Sequence, residues 1–362
     1  MRNTLGAAVT VTLFGESHGP SIGATLDGIP AGIAVNEEHI RERLALRAPH
    51  GAISTQRREG DEFSIISGVF NGKTTGAPLT VIIKNDNARS RDYSALADTP
   101  RPSHADYTAS VKYGGNQDYR GGGHFSGRLT APLVALGAIA RDALAERGIE
   151  IGTHIFSLRG IMDRELDDLR EDIRLLDNKK FPVLDDEAAS VMEEEILRAA
   201  KEGDSVGGVL ECACVGLPVG LGEPWFDTAE GEIAKAMFSI PGVKGVEFGL
   251  GFGFADRTGS EVNDPFVIRD GRVATATNNN GGINGGITNG MPLVFRVAVK
   301  PTPSIFKEQR TVSLSGMEEV DLRLEGRHDP CIVHRARAVV DALCALVLLD
   351  LITRHEGYRP DR

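Results

Sequence analysis

His18, His104 and Asp329 are the residues whose neighbours best suit them to moving protons. Each histidine sits among small, turn-forming residues, Ser17-His18-Gly19 and Pro102-Ser103-His104-Ala105, and not on the apolar face of a helix. An imidazole near its ordinary pKa of about 6.5 exchanges protons at neutral pH. Two of them suit a reaction that needs one proton for a leaving group and another at a second centre. Asp329 lies in Gly326-Arg327-His328-Asp329-Pro330-Cys331. The following proline keeps it out of a helix interior, and an acid opening a helix is also favoured by the dipole.

A second chemical feature is Asp118-Tyr119-Arg120-Gly121-Gly122-Gly123-His124-Phe125-Ser126-Gly127-Arg128. Consecutive glycines bring maximal backbone entropy and no side chain, so they are tolerated where the chain must pass close to a ligand. The loop leads into an apolar helical run over 129–144, which would aim amide groups at a ligand and favour an anion, phosphate above all. Arg120 and Arg128 bracket it and can make planar, bidentate contacts.

At 362 residues the chain can bury a large core, as two domains or one duplicated one. Its formal charge of -11 argues against nucleic acid as a partner, while arginines grouped at glycine loops point to a local anion site. The first residues lack the apolar run of a signal peptide. The longest apolar stretch, 338–352, carries Asp341 and Asp350 and is too short to span a bilayer. Four cysteines, with Cys212 and Cys214 two apart on one strand candidate, form neither a disulfide pattern nor a zinc site. The expectation is a reduced, cytoplasmic protein with no metal and no membrane segment.

The elements that must position these residues occur twice. Gly15-Glu16-Ser17-His18-Gly19 and, after eight residues, Gly28-Ile29-Pro30-Ala31-Gly32 are matched by Gly203-Asp204-Ser205-Val206-Gly207 and, after eight residues, Gly216-Leu217-Pro218-Val219-Gly220. A helical pattern ending at a proline follows each copy, over 37–47 and 228–238. Thr75-Gly76-Ala77-Pro78-Leu79 and Asn289-Gly290-Met291-Pro292-Leu293 then lead into strand candidates, and each half closes with a long apolar helix, over 129–147 and 333–354. Four elements recurring in one order indicate duplication. The reading is a single catalytic domain of two repeats, about 1–150 and 203–362, joined by an acidic helical connector over about 151–202. The closing helices are apolar nearly all round and must be covered on more than one face. Strand candidates at 9–14, 63–67, 79–84 and 293–299 are bounded by glycine and turns. The fold class expected is therefore α+β, with long central helices sandwiched between antiparallel β-sheets.

The segments around His18, His104, Gly121–Gly123, Lys300-Pro301-Thr302-Pro303-Ser304 and Arg327–Cys331 resemble, in order, the signature segments of the chorismate synthase family. The resemblance runs from about residue 4 to 354. It implies the same sandwich, a homotetramer, and conversion of 5-enolpyruvylshikimate 3-phosphate to chorismate and phosphate with reduced FMN and no net redox change. NADPH or a separate flavin reductase would supply the electrons. His18 would protonate the departing phosphate, His104 the reduced flavin, and Asp329 would help move a proton from the flavin. Further flavin contacts would come from His124, Phe125, Ser126, Pro241, Gly242, Gly285, Lys300, Pro301, Thr302, Pro303, Ser304 and Arg327. Arg47, Arg101 and Arg128 are candidates for the substrate's anionic groups or NADP. The chain departs from the family at Ala45-Leu46-Arg47-Ala48-Pro49-His50-Gly51, where several arginines are usual and Arg47 alone remains, and at Asp341, where glutamate is common.

Three rival readings fail on local grounds. Gly15-Glu16-Ser17-His18-Gly19 fits the nucleophile-elbow pattern, but Pro20 and a strand-like run follow where a helix is required. Gly68-Val69-Phe70-Asn71-Gly72-Lys73-Thr74 is one residue short of a P-loop, and Pro78 blocks its helix. A flavin- or phosphate-binding protein without catalysis would need neither loop histidine.

Overall fold

A computed structural model describes residues 3–55, 60–85, 98–324, 326 and 328–357. Alternating burial builds its sheets: along Leu293–Val299 every second residue, from Leu293 to Val299, is buried and the residues between are half-buried. The first sheet has the order Thr4–Leu5, Thr10–Gly15, Ser21–Asp27, Leu79–Lys84, Phe63–Ser67, and all its pairings are antiparallel. The second has the order Val243–Phe248, Leu293–Val299, Gly208–Val215, Glu150–Leu158, Ile161–Met162, also antiparallel. The fold class is the expected α+β sandwich.

Between the sheets lie the two closing helices, Thr130–Ala145 and Val333–Gly357. Their near-complete burial accounts for their all-round apolar sequences. They cross where Gly137 meets Ala342; a Cβ on Gly137 would lie 2.3 Å from that of Ala342, so the small residue sets the approach. The flanking helices begin where capping predicts. Asn36 accepts from the amides of Glu38 and His39 at the head of Glu37–Arg47, and Thr228 accepts from that of Gly231 at the head of Ala229–Phe238.

Four strands of each sheet follow one order. Thr10–Gly15, Ser21–Asp27, Leu79–Lys84, Phe63–Ser67 in one correspond to Glu150–Leu158, Gly208–Val215, Leu293–Val299, Val243–Phe248 in the other. Residues 151–158 of the stretch expected as a connector lie in the strand Glu150–Leu158 of the second sheet, and helices Leu169–Asp177 and Asp186–Lys201 follow it. The strand was obscured because Thr153 and His154 interrupt its apolar pattern. Both are buried and satisfied by distant partners: Thr153 Oγ1 donates to Asp341 at 2.6 Å, and His154 Nδ1 lies 2.7 Å from Asp163.

Candidate active site

The glycine loop forms a tight turn over Arg120–Phe125, with φ of 59° at Gly121, 89° at Gly122 and 53° at Gly123. These are left-handed conformations that favour glycine. The side-chain vectors explain the need more directly. A Cβ on Gly121 would lie 2.1 Å from His18 Cε1, and one on Gly122 would lie 3.4 Å from His104 Cε1. Adjacent glycines thus carry the two sequence-predicted histidines, 86 residues apart in the chain, on one loop.

His18 is buried, with Nδ1 3.2 Å from Ser17 Oγ. Ser17 Oγ donates to Arg120 O at 3.2 Å, and the Ser17 amide donates to Gly123 O at 3.2 Å, so this turn is tied to the glycine loop twice. His104 Nδ1 lies 2.6 Å from Asp106 Oδ1. Arg101 donates to both oxygens of Asp106 from Nε and Nη2, each at 2.8 Å. Burial alone would raise the Asp106 pKa. Hydrogen bonds from Arg101 and His104 outweigh it and hold the carboxyl far below the usual carboxylate range. Lys300 Nζ donates to Ser103 O at 2.6 Å, so the His104 turn is clamped by the second half of the chain. Burial and the nearby charge of Lys244 lower the Lys300 pKa. A small cleft opens beside His104 and Gly122, lined also by Asp106, Gln117, Tyr119 and Phe125.

Asp329 accepts from the Thr55 amide at 2.9 Å and from Arg335 Nη1 at 2.7 Å. Arg335 Nε in turn donates to Arg47 O at 2.8 Å. The carboxylate therefore sits at the seam between the final helix and the turn after Glu37–Arg47. The Val206 amide, in the second copy of the histidine turn, donates to Pro330 O at 2.8 Å. Where the first copy presents an imidazole, the second presents an apolar side chain.

The remaining candidates divide. Pro301 and Pro303 stiffen the Lys300–Ser304 stretch. Thr302 O accepts from Ser205 Oγ at 2.7 Å, and Ser304 Oγ accepts from Arg101 Nη1 at 3.4 Å. The Lys300 amide donates to Gly242 O at 2.9 Å, bringing the Pro241-Gly242 turn to the same place. His124 Nδ1 lies 2.8 Å from Gly15 O, Ser126 caps the Arg128 amide, and Phe125 is half exposed against the edge of Tyr113. Gly285 is on the hairpin of Ile283–Asn284 and Ile287–Thr288, where its neighbour Gly286 packs on Thr228. Arg327 lies outside the described residues.

Arg47 and Arg128 face inward. Arg47 Nη1 donates to Asp61 at 2.9 Å and Nη2 to Gly127 O at 3.0 Å, and Arg128 Nη1 pairs with the other oxygen of Asp61. With Nε on Thr130 Oγ1 at 2.9 Å, Arg47 holds the start of the first closing helix. The sequence reading missed Asp61, Asp106, Thr55 and Arg335. Asp106 stands two residues from His104 and could have been found; the others are linked to the site by tertiary contacts alone.

Two histidines thus lie against one glycine loop, one of them on a turn clamped by a lysine, within a two-sheet scaffold. The chorismate synthase family model matches residues 9–353. A chorismate synthase of Thermococcus gammatolerans is 50% identical over 353 residues, covering 98% of each chain. One of Dehalococcoides mccartyi is 50% identical over 357 residues, covering 98% of this chain and 97% of the other. A crystal structure of chorismate synthase superposes with a TM-score of 0.76 at 32% identity, covering 97% of this chain and 94% of that one. The chain belongs to the chorismate synthase family. It is a lyase of the shikimate pathway to aromatic amino acids, and the reaction is the anti-1,4-elimination of phosphate from 5-enolpyruvylshikimate 3-phosphate to give chorismate. The family uses a flavin. Among the described residues no helix is long and apolar enough to cross a membrane.

Proposed function

We propose that His18 and His104 are the proton donors of this elimination, Asp329 the proton acceptor, and reduced FMN the cofactor. The observation that carries this reading is the placement of both histidines against adjacent glycines of one loop. The residues present suit a flavin phosphate. Lys300 and Ser304 carry donors beside the His104 turn, and Thr302 Oγ1 is buried with no hydrogen-bond partner among the described residues. A buried hydroxyl of that kind is costly unless a ligand or water completes it.

Reduced FMN would supply transient electron density that assists phosphate loss, with no net redox change. His18 delivers a proton to the departing phosphate from a buried ring, where excluded water strengthens each interaction. His104 gives a proton toward the cofactor from its Nε2 side, which faces Gly122. Asp329, held by the Thr55 amide and Arg335, receives the proton lost from the ring. His124, Phe125, Ser126, Gly285, Pro301, Pro303 and Arg327 complete the cofactor's surroundings in this reading. Arg47, Arg101 and Arg128 shape the site from within, in keeping with their internal partners.

We extend the proposal to a cytoplasmic homotetramer whose flavin is reduced by NADPH or by a separate reductase. Each chain would be one catalytic domain of two repeats, as the shared strand order supports. His18→Ala and His104→Ala test the assignment: each should retain the fold and FMN affinity while turnover falls by about two to four orders of magnitude. Near-normal turnover in either variant at neutral pH removes that residue's role.

A further inference from the structure

His104 Nδ1 meets two groups that make opposite demands on it. Asp106 Oδ1 stands 2.6 Å away and Arg101 Nη2 stands 3.0 Å away. A guanidinium can only donate, so Arg101 would favour a bare lone pair on Nδ1; an ionised carboxylate can only accept, so Asp106 requires a proton there. Geometry decides between them. At 2.6 Å an unprotonated nitrogen and a carboxylate oxygen would set lone pair against lone pair, whereas with a proton between them the distance suits a charge-assisted hydrogen bond. Arg101 has partners elsewhere. Its main-chain amide and Nε donate to Asp106 Oδ2 at 3.0 and 2.8 Å, and Nη2 donates to Oδ1 at 2.8 Å. With Nη1 3.4 Å from Ser304 Oγ, its fork is spent on orienting the carboxylate.

We infer that Asp106, oriented by Arg101, is a positioning residue that fixes His104 as its Nδ1–H tautomer and makes Nε2 the nitrogen that exchanges the proton. The backbone supports this arrangement. Ser103 holds a left-handed φ of 58°, its carbonyl is clamped by Lys300 Nζ at 2.6 Å, and the His104 amide donates to Arg101 O at 3.2 Å. The ring is thereby presented edge-on to Gly122, where a Cβ would come 3.6 Å from Nε2. Arg101 then acts on the reaction through Asp106 and not by touching the substrate. The catalytic consequence rests on the proposed role of His104; the tautomer does not.

The test is nitrogen NMR of the full-length protein labelled with ¹⁵N-histidine, with the His104 signals identified by their loss in His104→Ala. The wild type should show Nδ1 protonated and Nε2 bare at mildly alkaline pH. Asp106→Asn should shift His104 toward the Nε2–H form and lower kcat by about 10²-fold, with KM for the phosphate substrate changed less than about threefold. Arg101→Lys, which keeps the charge but loses the fork, should give a smaller change in the same direction. An Nε2–H tautomer in the wild type overturns the inference whatever the variants do. Wild-type turnover in Asp106→Asn, with His104 unmoved, overturns it as well. Full activity in His104→Ala would overturn the catalytic consequence alone and leave the tautomer result intact.

Discussion

Replacing Gly121 with alanine should disable the site while leaving most of the fold in place. The new Cβ would lie 2.1 Å from His18 Cε1 and 2.4 Å from its Nδ1, against about 3.5 Å for a normal contact. The shortfall of about 1.4 Å must be taken up by the His18 ring, because ring atoms at the end of a side chain yield before backbone does. Alanine at a φ of 59° adds about 1–2 kcal/mol of backbone strain, and crowding about 1–3 kcal/mol more. A displacement of about 1 Å in a catalytic group costs on the order of 10² in rate. Anaerobic chorismate formation should therefore fall about 10²- to 10³-fold, with thermal unfolding lowered by roughly 2–5 kcal/mol. Gly127→Ala is the control: no heavy atom lies within 4 Å of its Cβ position, so turnover should stay near wild type. Turnover of Gly121→Ala within about threefold of wild type would refute the claim that the glycine is there to seat His18.

Two further outcomes follow from the same geometry. Asp329→Asn keeps the shape but not the basicity of the carboxylate, so turnover should drop by about 10²-fold while FMN affinity, measured by fluorescence titration, stays within about threefold. His154 tests the scaffold. Burial lowers its pKa, but the hydrogen bonds it donates to the Asp163 and Glu211 carboxylates outweigh that, so the net shift is upward from 6.5. The folded pKa exceeds the unfolded one, so its stabilisation is fully present below about pH 6.5 and lost as pH rises through the folded value. His154→Gln should lower stability by about 3 kcal/mol at pH 6 and by less at pH 9, read from denaturant midpoints. An equal loss at both pH values would show that the charge on His154 contributes nothing.

The regular elements were legible because their signals are local. The 37–47 helix was bounded by Pro49, and the Leu293–Val299 strand alternates without a break. The catalytic candidates were legible because histidines in glycine-rich turns have no apolar face to serve. What the sequence hid depends on partners far along the chain. Arg47 reads as a lone survivor of an arginine loop, yet it is consumed by Asp61, Gly127 and Thr130, a placement that no spacing reveals. Glu150–Leu158 failed the strand pattern because its buried Thr153 and His154 are satisfied by Asp341, Asp163 and Glu211 on other elements. Asp329 was found, but Arg335 and the Thr55 amide that hold it were not, since nothing local marks them as its partners.

The most direct test of the account is the fate of the flavin. With dithionite-reduced FMN under strict anaerobiosis, the enzyme should convert many equivalents of 5-enolpyruvylshikimate 3-phosphate per flavin, releasing chorismate and phosphate in equal amounts. The flavin spectrum should return to the reduced form after the substrate is exhausted, with no nicotinamide consumed. One oxidised flavin per chorismate, or undiminished turnover with no flavin present, would contradict it.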